Sequence, residues 1–102
     1  IEEDIPQQNQ LTIYRIVQEL LSNAIKHSQA SMILVQCSQN QNRLFITVED
    51  NGKGFNLETN SFHSGMGLDN IRNRVSYLDG QLEIKSVPNE GTIINIELDV
   101  YK

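Results

Sequence analysis

Apolar residues in the N-terminal third of the chain recur at the spacing of an amphipathic helix, from about residue 8 to residue 28. At 100° per residue, one arc of roughly 140° is apolar and is expected to face the core. It holds Ile13, Tyr14, Val17, Leu20, Leu21, Ala24 and Ile25. A separate polar arc of roughly 100° holds Glu19, Asn23, Lys26 and His27. Ile16 lies on the polar side and does not fit this simple assignment.

The next segment predicts a β-hairpin. Residues 32–38 and 43–49 are rich in Ile, Val and Leu, and the polar stretch 38–42 joins them. The second strand runs directly into a glycine-rich sequence at 50–54, where strand character stops. Residues 56–64 have no periodicity and predict a loop.

A second helix and a second hairpin complete the chain. The helix opens on Gly65-Met66-Gly67 and ends at Asp79-Gly80, and strands at 81–87 and 92–100 flank a turn. One face of this helix holds Leu68, Ile71, Val75 and Leu78. The order of elements predicts an α+β fold, a two-layer α/β sandwich whose mixed, mostly antiparallel sheet is covered by helices on one face.

Length and charge narrow the possible functions. We expect residues 1–102 to form a single domain, and the start on Ile1 rather than Met favours a piece excised from a longer chain. Eight basic and thirteen acidic residues give a net charge of -5, which disfavours nucleic acid and anionic membranes as partners. The single cysteine, Cys37, excludes an intrachain disulfide and fits a reducing compartment. No membrane span or targeting segment is apparent.

The polar face of the first helix is one candidate for chemistry. Glu19, Asn23 and Lys26 are spaced at i, i+4 and i+7, so they lie on one side of the helix. A neutral amide oxygen such as that of Asn23 suits Mg²⁺, which keeps most of its waters when phosphates supply other ligands. Glu19 would orient or deprotonate a water. The alternative is a solvated helix face with a Glu/Lys pair.

Two glycine-rich sequences are further candidates. In Asp50-Asn51-Gly52-Lys53-Gly54 the glycines allow a backbone to approach a ligand, and the carboxylate accepts a hydrogen bond from an exocyclic amine. A plain turn is the alternative, whereas Gly52 and Ser61 occupy positions that exclude an EF-hand. Gly65-Met66-Gly67 opens a helix whose first N–H groups favour an anion. An ordinary helix start is as compatible with it, and Asn70 excludes a Rossmann fingerprint.

These motifs and Gly91-Thr92, taken in order, form a four-part arrangement. It resembles the nucleotide-binding signature of the GHKL ATPases, which have the Bergerat fold and include sensor histidine kinases, type II topoisomerases, heat-shock chaperone ATPases and mismatch-repair ATPases. Residues 13–27 and the short segment between the glycine motifs are most similar to the catalytic ATP-binding domain of bacterial two-component histidine kinases, in the branch of nitrate and membrane-fluidity sensors.

The resemblance implies ATP and Mg²⁺ as ligands. Asn23 would bind Mg²⁺, and Glu19 holds the position that is a catalytic base in hydrolysing relatives and a positioning group here. Lys26 and His27 would approach the phosphates or the ribose.

The same resemblance assigns residues to the adenine site and to a lid over the phosphates. Asp50 would accept from the adenine amino group, Gly52 and Gly54 would shape that floor, and Thr92 would contact adenine through water. Gly65 and Gly67 would close a lid over the phosphates. Only residues 56–64 separate the glycine motifs, so no separate phenylalanine box is present. The resemblance implies that Phe62 would stand in for it in part.

The resemblance also implies partners. The γ-phosphoryl group would pass to a histidine on a separate helical dimerisation hairpin of the same kinase, and from there to a response regulator. His27 and His63 do not match the acceptor motif. The domain is expected to be cytoplasmic, in a parent that fits an inner-membrane sensor. An anti-sigma-type serine kinase and a nucleotide-sensing module without transfer activity are the alternatives.

Overall fold

The computed structural model describes residues 4–27, 29–54 and 68–102. The elements are α1 (Gln7–His27), β1 (Ile33–Asn40), β2 (Arg43–Asp50), α2 (Leu68–Tyr77), β3 (Gln81–Val87) and β4 (Gly91–Asp99). They confirm the predicted order of helices and hairpins. The predicted loop at 56–64, together with Gly65 and Gly67, lies outside the described residues.

The four strands form one sheet in the order β1-β2-β4-β3. Each neighbouring pair is antiparallel, so the second hairpin, β3 and β4, joins the first through the pairing of β4 with β2. The predicted α+β sandwich is confirmed, with a four-stranded antiparallel sheet and two helices.

The hydrophobic core lies between the sheet and the helices. Side chains alternate between the two faces of a strand, so every second residue of β2 and β4 faces inward. These residues are Leu44, Ile46, Val48, Ile94, Ile96 and Leu98, and all of them are buried. Helix α2 contributes Leu68, Ile71 and Val75, followed by Leu78, as the sequence predicted.

Helix α1 packs with a different face from the predicted one. Ile13, Leu20 and Ala24 are buried as expected, but Tyr14 is 61% exposed and Ile25 is 70% exposed. Ile16, which the pattern placed on the polar side, is 0% exposed. The predicted core face was therefore wrong by roughly 70° about the helix axis at 100° per residue.

The rotation has a physical reason. Helix α1 has two neighbours, the sheet and α2, and its Gln8 and Thr12 line a groove against Tyr77 of α2. The buried arc is shifted toward α2, which takes in Ile16 and leaves the opposite apolar stripe at Tyr14 exposed. A periodic pattern cannot show on which side of a helix the neighbour lies.

Hydrogen bonds at the N-terminal end of α1 fix its direction across the sheet. Asn9, 4% exposed, donates from Nδ2 to the backbone oxygen of Val100 at 2.9 Å, just beyond the end of β4. The Tyr101 hydroxyl donates to Asp4 Oδ1 at 3.0 Å at the same end. A helix of 21 residues is about 30 Å long, and a strand of 8 residues is about 26 Å long. Helix α1 is therefore long enough to span the sheet, and β1 begins at Ile33, six residues after α1 ends, where it pairs with Asp50 at the opposite end.

Helix α2 runs the other way. After its C-terminal end, the backbone oxygen of Leu78 accepts a hydrogen bond from the N–H of Asp99 at 2.9 Å, again near the end of β4. The first residue of α2, Leu68, is therefore directed toward the far end of the sheet, where α1 finishes. We call this the polar end of the sheet; β2 ends there at Asp50 and β4 begins there at Gly91.

Three further features of the described ranges bear on function: the free thiol, membrane-spanning helices and metal-binding clusters. Cys37 is an exposed free thiol on β1. No helix in residues 4–27, 29–54 and 68–102 is long and apolar enough to cross a membrane. The same ranges hold no cluster of three or more His, Cys, Asp or Glu side chains able to bind a metal.

Two isoleucines of α1 provide a matched test of the rotation. Ile16→Ala removes a fully buried side chain and is expected to lower the free energy of unfolding by about 2–5 kcal/mol. Ile25→Ala makes the same chemical change on an exposed residue of the same helix, so we expect a loss of about 0.5 kcal/mol or less. Urea unfolding followed by circular dichroism measures both. A larger loss in Ile25→Ala than in Ile16→Ala would show that α1 packs with the face that the sequence pattern predicted.

Candidate functional site

The polar end of the sheet carries a row of polar side chains on its inner face. Asp50 of β2 pairs with Thr92 of β4, and Thr92 pairs with Ser86 of β3. Residues directly opposite each other in antiparallel strands point to the same face. Asp50, Thr92 and Ser86 therefore continue the face that elsewhere forms the core, and Thr92 is only 7% exposed. Its Oγ1 lies 2.7 Å from Ser86 Oγ, a hydrogen bond that either hydroxyl can donate.

Residues 50–54, which we call the glycine loop, begin with the last residue of β2. The N–H of Gly52 donates to Asp50 Oδ1 at 2.8 Å. This hydrogen bond fixes the orientation of the half-buried carboxylate and leaves Oδ2 without a hydrogen bond from the described residues. The turn, one of the two alternatives that the sequence left open, is therefore present, and the Asp50 carboxylate takes part in it.

The glycine loop is pressed against the turn between β3 and β4. Gly54 has a φ of 61°, and a Cβ placed on it would lie 2.1 Å from the backbone oxygen of Val87. Gly91 has a φ of 117°, and its Cβ would lie 2.2 Å from the backbone oxygen of Asp50. Asn89 also donates from its N–H to the oxygen of Lys53 at 2.5 Å. Because real Cβ atoms do not approach other atoms so closely, both positions require glycine.

Asn51 holds the other side of the glycine loop. Its Oδ1 accepts from the N–H groups of Ser31 and Met32, each at 3.0 Å, and its Nδ2 donates to Ser31 Oγ at 2.9 Å. Its own N–H donates to the oxygen of Met32 at 3.3 Å. These residues belong to the linker from α1 to β1. The glycine loop therefore lies between this linker and the β3–β4 turn.

The polar stripe of α1 reaches the same end of the molecule. Glu19 and Asn23 are half-buried, and Lys26 is exposed. At 100° per residue, Glu19 and Asn23 lie on the same side of the helix as Thr12, which lines the groove with α2. The stripe therefore faces the side of α1 on which α2 lies. The side chain of His27 is outside what the structure describes.

The structure tests one part of the alternative for this stripe, the Glu/Lys pair. The ion pairs among the described residues are Arg43–Glu97, Glu83–Lys85 and Asp79–Lys102. Glu19 and Lys26 are not among these pairs, so the interpretation as a surface Glu/Lys pair has no support.

The predicted site residues fall into three groups. Asp50, Gly52, Gly54 and Thr92 come together at the polar end of the sheet. Glu19, Asn23 and Lys26 lie toward the end of α1 that finishes there. Gly65 and Gly67 fall outside the described residues.

Sequence reasoning gave no role to three residues of this site. Gly91 was visible only as part of the Gly-Thr motif, and the structure shows that its missing side chain admits the Asp50 carbonyl. Ser86 binds Thr92 across the strands. The side chain of Asn51 looked like that of an ordinary turn residue, yet it holds the α1–β1 linker.

Residues 8–102 match the family described as histidine kinase-, DNA gyrase B- and HSP90-like ATPase. The chain belongs to this ATPase family. Membership implies that the domain binds ATP and confirms the resemblance read from the motifs.

Individual relatives of this ATPase domain are sensor kinases. It is 45% identical over 93 residues to the sensor histidine kinase ComP of Bacillus subtilis strain 168, covering 90% of this chain and 12% of that protein. It is 36% identical over 98 residues to the signal transduction histidine-protein kinase/phosphatase DegS of Brevibacillus brevis, covering 96% of this chain and 25% of that one. The ATPase domain thus spans a quarter or less of these relatives.

Solved structures agree with the sequence relatives. The histidine kinase domain of the blue-light activated histidine kinase of Erythrobacter litoralis EL346 superposes with a TM-score of 0.78 and 27% identity. The match covers 93% of this chain and 46% of that one. The antiparallel sheet with two helices is therefore the fold of a histidine kinase ATPase domain.

The close approach at Gly91 gives a direct prediction. Gly91→Ala places a Cβ against the Asp50 carbonyl in a backbone conformation that side chains rarely adopt, so we expect the free energy of unfolding to fall by about 2 kcal/mol or more. Glu90→Ala changes the exposed neighbouring residue and is expected to have an effect within about 0.5 kcal/mol. Urea unfolding compares the two, and wild-type stability in Gly91→Ala would contradict the described packing.

Proposed function

We propose that this domain binds Mg·ATP and donates its γ-phosphoryl group to a histidine on the helical dimerisation hairpin of the same kinase, in two-component signal transduction. One observation carries the proposal: Asp50, Thr92 and the glycine loop lie at the end of the sheet toward which α1 directs Glu19 and Asn23. Base-binding and metal-binding chemistry therefore share one end of the fold. Family membership and the named kinases among the relatives support it.

The adenine side of the proposed site consists of Asp50 and its neighbours. The Asp50 carboxylate, oriented by the N–H of Gly52, is suited to accept from an exocyclic amino group. Thr92 is buried beside it and would reach the base through a water. Gly52 and Gly54 keep the floor free of side chains, and Gly54 must be glycine for steric reasons.

The chemistry of the donor set on α1 fits Mg²⁺. Asn23 offers a neutral amide oxygen and Glu19 a carboxylate one turn away, and hard oxygen ligands are those that Mg²⁺ prefers. We assign Asn23 to bind the ion and Glu19 to position the reacting groups. A bound Mg²⁺ would supply charge neutralisation to the phosphates. Lys26 and His27 would lie toward the phosphates or the ribose.

The chemical step needs little from the protein beyond position and charge. A P–N bond forms between the acceptor imidazole and the γ-phosphorus while the bond from that phosphorus to the β–γ bridging oxygen breaks. ADP leaves with the electron pair, and the imidazole gives up its N–H proton to water. In-line alignment is the main catalytic contribution in such a reaction. Gly65 and Gly67 complete the proposal as the lid over the phosphates.

The partners follow from this division of labour. The acceptor histidine would lie on the dimerisation hairpin, and a response regulator receiver domain would take the phosphoryl group next. The net charge of -5 disfavours nucleic acid and anionic membranes as partners. ATP is a cytoplasmic metabolite, so we place the domain in the cytoplasm.

Phosphoryl transfer between separate polypeptides tests the proposed function. The 102-residue chain, incubated with radiolabelled ATP and Mg²⁺, is expected to bind the nucleotide without labelling itself. Addition of the dimerisation hairpin of the parent kinase is expected to give acid-labile, base-stable label on the hairpin. Asn23→Ala should lower the transfer rate on the order of 10²-fold, because misplaced phosphates lose their in-line alignment. Asn42→Ala, a change at the exposed turn away from the polar end, is the matched control. Stoichiometric label on His27 or His63 in the isolated chain would contradict the proposal.

Base selectivity tests Asp50 separately. Adenine has an amino donor where guanine has a carbonyl acceptor, so the carboxylate pairs with one base and opposes the other. We expect ATP to bind on the order of 10²-fold more tightly than GTP. Asp50→Asn retains an oxygen for the N–H of Gly52 and adds an NH₂ donor, which should narrow this preference. Calorimetric titration with both nucleotides measures it, and equal affinities in the wild type would remove Asp50 from the base site.

A further inference from the structure

The side chain of Asn51 is exposed, yet both of its polar atoms are bonded to protein. Three side-chain hydrogen bonds, all of 3.0 Å or less, go to the backbone N–H groups of Ser31 and Met32 and to the Ser31 hydroxyl. The backbone bond from Asn51 to Met32 is the fourth. We call these four bonds the Asn51 clamp. The side-chain amide of an exposed asparagine would ordinarily bind water. Here all four hydrogen bonds go to one linker instead, and this calls for an explanation.

The clamp joins two segments that carry different parts of the proposed site. Asn51 directly follows Asp50, which is assigned to the base. Ser31 and Met32 belong to the linker that leaves α1, whose last turns carry the metal-binding Asn23. Regular pairing between β1 and β2 ends at Ile33 and Asp50, and the clamp extends the attachment beyond that point. The linker also bends at Gln29, which has a φ of 55°. A bent linker needs attachments to hold the helix end in place.

We propose that Asn51 is a positioning residue for ATP: it holds the C-terminal end of α1 at a fixed separation from Asp50, so that the base subsite and the Mg²⁺–phosphate subsite are aligned before the nucleotide binds. This inference rests on the proposed function. Its physical basis is that a ligand touching two subsites loses affinity when their relative position must be fixed during binding. A ligand touching only one subsite has no such dependence.

A positioning role for the Asn51 clamp therefore predicts a difference between two ligand affinities that a purely structural role would not produce. Asn51→Ala removes all three side-chain bonds and is expected to weaken Mg·ATP binding on the order of tenfold. Adenosine, which lacks the phosphates and therefore does not occupy the Mg²⁺–phosphate subsite, should bind within about twofold of wild type, since Asp50 and its bond to Gly52 are unchanged. Damage to the Asp50 site itself would weaken both ligands equally.

A conservative variant provides rescue. In Asn51→Asp one carboxylate oxygen still accepts from the two backbone N–H groups, and the Ser31 hydroxyl changes from acceptor to donor for the other oxygen. Mg·ATP affinity should return to within about threefold of wild type at physiological ionic strength, where added surface charge is screened. Ser31→Ala loses only one bond and should show the same selective pattern at about twofold to threefold. Asn40→Ala, at the opposite end of β1, is the matched asparagine control and should change neither ligand.

Calorimetric titration of the 102-residue chain with Mg·ATP and with adenosine carries out the test. Hydrogen exchange at the Ser31 and Met32 amides reports separately whether the clamp is broken. A loss of Mg·ATP affinity confined to Asn51→Ala and Ser31→Ala, with rescue by Asn51→Asp, supports the proposal. Equal loss of both ligands, no loss of either, or failure of the rescue overturns it.

The outcomes also separate this inference from the proposed function. If the wild-type chain binds neither Mg·ATP nor adenosine, the proposed function fails and the positioning role with it. If the wild type binds both and Asn51→Ala shows faster amide exchange without selective loss of ATP, the proposed function stands and the positioning role fails. If Asn51→Ala does not fold, Ser31→Ala and Asn51→Asp still decide the question.

Discussion

The rotation of α1 about its own axis decides which side chains reach the proposed nucleotide site. Ile16 is fully buried and α2 packs on the adjacent side, so the helix cannot turn its predicted apolar face toward the sheet. This rotation brings the polar stripe next to the core face instead of opposite it. Glu19 and Asn23 are half-buried as a result, at the border between the core and the groove toward α2. A rotation of roughly 70° back to the predicted face would move Asn23 away from the groove.

Both ends of α1 are then fixed by side-chain amides. Asn9 binds Val100 at one end of the sheet, and Asn51 holds the linker that follows α1 at the other. The hydrophobic contacts between these attachments do not by themselves fix the position of the helix along the sheet, because burial of apolar area is not directional. Hydrogen bonds are directional, so the two asparagines specify the position of the helix along the sheet. Hydrophobic packing stabilises the fold, and these polar contacts set the position of α1, which carries Glu19 and Asn23.

Much of the fold could be predicted from the sequence because alternation along a strand directly reports its buried face. Leu44, Ile46 and Val48 illustrate this, and so does the helical spacing of Ile71 and Val75 in α2. The failure came in α1, where apolar residues cover a wide arc and only the position of α2 selects among them. A single sequence contains no signal for that choice.

Several residues of the candidate site could be predicted from the sequence, but their arrangement in space could not. Asp50 and Thr92 were identified from motifs, yet their direct pairing depends on the register of β2 with β4. The reason for Gly91 appears only when the Asp50 carbonyl is seen where a Cβ would lie. Asn51 was missed because an asparagine in a glycine-rich turn is expected from local preference alone. The spacing of residues along the sequence does not reveal long-range contacts of this kind.

The directions of the two helices indicate how an acidic chain would hold an acidic ligand. The C-terminal end of α1 and the first residue of α2 are both directed toward the polar end of the sheet. A helix carries roughly half a negative charge at its C-terminal end and half a positive charge at its N-terminal end. A positive charge is therefore favoured near the last turn of α1, and a negative charge toward the start of α2. The net charge of -5 opposes a triphosphate only weakly, because surface charges beyond about 8–10 Å are screened at physiological salt. Local donors and helix ends act at contact distance, so in the proposed complex they would outweigh the net charge in setting the affinity and orientation of the nucleotide.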